Sequence, residues 1–130
     1  MVWTAWTLDR IVIFLMGFAY LLIFAQVTMF HYRQNFRHYA MWFPVVEGPI
    51  IGTAAILASL TSSQSLVTIT TVLFGLGAVS GVLGFVYHFV GVGERVEGYV
   101  LRNFLVGPPV ILPLTFSALG LVGLFAIYWR

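Results

Sequence analysis

Three histidines and one glutamate are the residues of this chain best placed to do chemistry. His31 and His88 each stand between two aromatic residues, in Phe30-His31-Tyr32 and Tyr87-His88-Phe89, at the far ends of two long apolar runs. Two imidazoles on facing helices, with small residues beside them, are what a b-type haem requires at its axial positions. The same pair suits a metal or a proton relay, because neutral imidazole binds metals and titrates near pH 6.5. The plainer reading is a pair of interfacial histidines that anchor helix ends. Arg33, Arg37, Arg95 and Arg102 lie in the adjoining linkers, where they could neutralise haem propionates or pair with an acid. His38 follows His31 by seven residues, with Gln34 and Asn35 on the same face of any continuing helix. That makes "FHYRQNFRHY" a positively charged hinge in which His31 is the member with a further role.

Glu47 lies five positions beyond Trp42, an interface marker, and so about 7–8 Å deeper into the membrane if the segment is helical. A lone carboxylate at such depth is costly, about 3 kcal/mol at mid-membrane and less toward the edge. The expectation is therefore an ion pair with an arginine, with His31, His88 and Arg102 as further partners at similar depth. Protonation or a wet cavity is the alternative, and either would place Glu47 in a proton or ligand pathway. Gln26 is the one strongly polar residue of the first apolar run.

Composition sets the solvent in which these residues work. The 130-residue chain is 61% hydrophobic and 8% charged, against about 25% charged in an ordinary soluble domain. So few charges cannot cover a water-facing surface, so lipid must cover it instead. The net charge of +2 comes from scattered arginines without any lysine, so nothing resembles a nucleic-acid footprint. Absence of cysteine excludes thiolate metal sites, iron–sulfur clusters and cysteine nucleophiles. "GVGERVEG" lacks dinucleotide-loop spacing and follows an apolar run rather than a strand, and neither H-E-x-x-H nor G-x-S-x-G occurs. The chain is expected not to be an enzyme by itself.

A bilayer core of about 30 Å needs about 20 apolar residues, and four segments reach that length. The prediction is an all-α membrane protein forming one domain, with spans at about 11–31, 40–60, 66–90 and 106–128. The first run is too long for a signal-peptide core and reads as a retained span. Strand-like alternation is missing. Four arginines in the first and third linkers, against Arg10 and Arg130 on the other side, put those linkers in the cytoplasm and both termini outside a bacterial inner membrane.

Helices in lipid associate through small residues. Gly77, Gly81 and Gly84 form a stripe that leads to His88, and Gly48 and Gly52 begin another with Ala55 and Ser59. The halves also echo one another. Gly48-Pro49 follows His31 by 17 residues and Gly107-Pro108 follows His88 by 19, which suggests two similar hairpins with matched helix breaks.

Three functions fit these features. One is an accessory or assembly subunit, or scaffold, of a larger membrane complex, with other membrane subunits or a second copy as partners in the lipid bilayer. Another is a haem b electron-transfer or quinone-linked subunit using His31 and His88. The last is a small dimeric transporter or channel with Glu47 in its pathway.

Overall fold

The computed structural model describes residues 1–129. It contains four helices long and apolar enough to cross a membrane, and no strand among the described residues. These are α1 (Leu8–Arg33), α2 (Trp42–Thr61), α3 (Gln64–Arg95) and, after the short α4 (Leu101–Val106), α5 (Ile111–Trp129). A 3-10 turn, Tyr39–Met41, leads into α2. The first three long helices agree with the expected spans to within about five residues at each end. The fourth begins at Ile111 rather than 106, because Gly107-Pro108-Pro109 cannot continue a helix.

Around the bundle, α1 packs on α2, α2 on α3, α3 on α5 and α5 on α1. Glycines set the closest approaches. A Cβ at Gly17 would lie 2.9 Å from the Gly52 carbonyl oxygen, and one at Gly52 would lie 2.8 Å from the Gly17 carbonyl oxygen, so α1 and α2 cross backbone to backbone. At the α3–α5 crossing, a Cβ on Gly81 would stand 2.5 Å from the Ser117 nitrogen and one on Gly120 would stand 2.5 Å from the Phe74 carbonyl. Tyr20 ties the diagonal of the bundle. Its fully buried ring stacks on Phe74 and meets Phe116 edge-on, and its hydroxyl donates to the Phe116 carbonyl at 2.9 Å. Gly77 and Gly120 leave the space that hydroxyl fills.

Arg10 was expected ahead of the first span, but it is buried inside α1. The last carbonyls of α2 have no helical donor, and Arg10 supplies one. Its Nε donates to the Ser59 oxygen at 2.8 Å, its Nη1 to Ala5 at 3.1 Å and its Nη2 to Leu60 at 3.5 Å, while the guanidinium lies 4.3 Å from the Trp6 ring centre. Residues 1–6 are strapped to the α2–α3 turn as well. The Val2 N–H donates to the Ser62 carbonyl at 2.8 Å, and the Ser62 hydroxyl donates to the Trp3 carbonyl at 2.8 Å.

The two hairpins correspond, though not in the register expected from sequence. His88 and Phe74 follow His31 and Gly17 by 57 positions, while Pro109 and Gly120 follow Met41 and Gly52 by 68. The eleven-residue difference is taken up by the longer end of α3 beyond His88 and by the connection that carries α4. Gly48-Pro49 lies inside α2, whereas Gly107-Pro108 precedes α5, so the two Gly-Pro pairs are not equivalent. Pro44 and Pro113 share a place in their helices instead, one residue out of that 68-position register: each is the third residue, where no backbone donor is needed.

Gly81→Leu should disrupt the α3–α5 crossing and lower stability by about 1–3 kcal/mol, whereas Gly75→Leu, with open space around its α-carbon, should leave it nearly unchanged. Thermal unfolding in mild detergent distinguishes the two.

Candidate functional site

At the arginine-bearing end of the bundle the structure brings His31 and His88 together, with ring centroids 6.5 Å apart and ring planes inclined by 58°. His31 occupies the last turn of α1, and its Nδ1–H donates to the Met41 carbonyl at 2.7 Å. His88 sits on α3, and its Nδ1–H donates to the Pro109 carbonyl at 2.8 Å. Both acceptors stand just before a membrane-spanning helix, so the two hairpins build the same clamp. Pro113, four residues beyond Pro109, has no N–H to offer that carbonyl. A carbonyl can only accept, which assigns the proton to Nδ1 in both neutral rings and leaves both Nε2 atoms as lone-pair donors. Neither Nε2 has a hydrogen-bond partner among the described residues.

The hinge is built rather than loose. α1 stops at Arg33 because Asn35 and Phe36 adopt left-handed backbone, with φ of 55° and 45°, a conformation costly for a large side chain. The reversal returns the Phe36 N–H to the His31 carbonyl and stacks the Phe36 ring on Trp42 at 4.1 Å. The expected helical face joining His31 to His38 therefore does not form. His38 caps the 3-10 turn instead, its Nδ1 accepting from the Ala40 N–H at 3.1 Å, and its ring lies against Tyr39 and Tyr87.

The four candidate arginines divide into two pairs. Arg37 Nη2 and Arg95 Nη1, from different hairpins, both donate to Gln34 Oε1, at 2.8 and 3.4 Å. Arg95 lies two turns beyond His88 on α3. Arg33 and Arg102 are exposed and make no side-chain hydrogen bond among the described residues. Among the described residues Glu47 forms no ion pair with any arginine or histidine. It is half-buried, and its Oε2 accepts the Ser80 hydroxyl at 2.5 Å. Gln26 points outward from the bundle.

The glycine stripe beside His88 also differs from expectation. Gly81 receives Pro113 and Ser117, and Gly84 receives Pro113, so α5 fills the stripe. Gly48, Gly52 and Gly77 are likewise occupied, by Phe24, by Gly17 with Leu21, and by Tyr20 with Ile51. The stripe is therefore filled within the bundle and offers no open face beside His88.

Sequence reasoning missed Ser80, although it falls one residue before Gly81 on a glycine-lined face. It also missed the roles of Tyr20 and Arg10. A tyrosine in the middle of an apolar run, and an arginine flanked by Trp3 and Trp6, were the available signals.

No family model matches this chain, and neither a curated protein nor a solved structure matches it.

The hydrogen bonds predict distinct tautomers. In nitrogen-15 imidazole spectra above neutral pH, His31 and His88 should carry their proton on Nδ1, and His38 should carry it on Nε2.

Proposed function

We propose that this chain is an electron-carrying, quinone-linked subunit of a larger membrane complex, with a b-type haem held between His31 and His88. The observation that carries the reading is the matched pair of imidazoles, each with Nδ1–H fixed by a backbone carbonyl. Histidines that bind a metal donate their other ring N–H to an acceptor of this kind. The two ring centroids stand 6.5 Å apart, so both residues would hold one group between the hairpins.

Among the described residues no third histidine, cysteine or carboxylate joins the pair. A bare ion would lack ligands there, whereas haem iron brings four nitrogens and needs two more, and once bound it supplies one-electron chemistry. The protein's part is to fix both tautomers and both ring positions. Arg37 and Arg95, unpaired with any carboxylate among the described residues, provide positive charge for the macrocycle's acidic edge. Orientation belongs to the same proposal: the arginine-rich end faces the cytoplasm of a bacterial inner membrane, and both termini lie outside.

Membership of a complex rests on an electron carrier's need for a donor and an acceptor.

Protein purified from haem-sufficient cells should show a Soret band. His31→Ala and His88→Ala should each abolish the six-coordinate spectrum while remaining helical and monodisperse, and His38→Ala should leave it intact. A colourless wild-type preparation would overturn the reading.

A further inference from the structure

Glu47 and Ser80 take no part in the imidazole pair, yet theirs is the one polar contact between side chains of α2 and α3 among the described residues. Glu47 stands five residues into α2 from Trp42 and fourteen from Thr61, or about 7–8 Å and ~21 Å along the helix. With Trp42 taken as the interface marker, that depth falls inside the hydrocarbon region. The carboxyl is only half-buried, and a single hydroxyl is its hydrogen-bond partner. A carboxyl in this setting calls for a further polar partner from outside the bundle.

A shallow apolar groove of about 420 Å³ lies farther along α2, starting two residues beyond Glu47 and lined by Pro49, Ile50, Thr53, Ala54, Leu57 and Leu66. Ile50 and Ala54 follow Glu47 by three and seven residues, so they continue its face of α2. A polar anchor followed along the same helix face by an apolar trough defines the occupant. It must carry a small hydrogen-bonding head that is stable away from water and a long apolar tail. A phospholipid fails the first condition, because its charged head stays at the interface.

We propose that Glu47, Ser80 and this groove bind an isoprenoid quinone, the head at the carboxyl and hydroxyl and the tail along Ile50, Ala54 and Leu57. The ionised carboxylate accepts a hydrogen bond from a quinol hydroxyl. Once protonated, it donates to a quinone carbonyl, and the Ser80 hydroxyl serves either form. Ser80 and His88 are eight residues apart on α3, about 12 Å, which puts the head close to the imidazole pair. The inference rests on the quinone-linked part of the function proposed above and does not depend on haem being bound.

The test uses the full chain in phosphatidylcholine nanodiscs, with menaquinone-4 as the probe and tryptophan quenching, anchored by Trp42, as the readout. The wild type should bind saturably at one quinone per chain. Glu47→Leu should weaken binding at least tenfold, and so should Ala54→Phe, which fills the trough from the lipid side without entering the core. His88→Ala should bind as the wild type does, and a colourless protein that still binds quinone would remove the haem while leaving this site standing. Non-saturable quenching in the wild type would overturn the proposal. Unchanged binding in both Glu47→Leu and Ala54→Phe, or displacement by phosphatidylglycerol, would do so equally.

Discussion

Every backbone carbonyl that loses its helical donor inside this bundle must find one in the protein, because the surrounding lipid offers none. That constraint accounts for Arg10, which meets the carbonyls at the end of α2, and for His88, which meets the Pro109 carbonyl that Pro113 cannot serve. Other polar side chains add a bond to carbonyls that keep a backbone N–H four residues on: Tyr20 to Phe116, His31 to Met41 and, where α3 and α5 touch, Ser117 to Ala78 at 2.6 Å. Those bonds join one helix to another.

The imidazole pair grows out of how two helices begin. Helices α2 and α5 each carry a proline in the first turn, with a 3-10 turn leading into α2 and a non-helical Gly-Pro-Pro stretch into α5. Each approach presents a carbonyl to a neighbouring helix, to the last turn of α1 and to α3 two turns before its end, and a histidine there donates to it through Nδ1. Because both hairpins do this, two donors of the same kind arise side by side. A reactive lone pair is left on each ring as a consequence of how the backbone is held.

Much of the architecture was legible in the chain. About 20 apolar residues in a row, repeated four times, admit few structures other than four crossing helices, and the Gly77–Gly81–Gly84 stripe marked a face where a neighbour could come close. What that face packs against was not legible. Glycine says that something comes close, and only the fold shows that at Gly81 and Gly84 it is α5. The Gly-Pro echo misled for a similar reason, since a proline inside a continuous helix and one before a helix start look alike in sequence. Glu47 was recognisable as costly, but its partner is a serine thirty-three residues away on another helix, a match no local pattern encodes.

By itself, the sequence determined the solvent, the number of spans and the end at which the arginines collect, because these follow from hydrophobicity and charge summed along the chain. Which imidazole nitrogen bears the proton, which helix fills each glycine and which hydroxyl meets Glu47 were decided by the tertiary structure. Those outcomes depend on distances of a few ångströms between residues far apart in the chain, and only helix packing sets such distances.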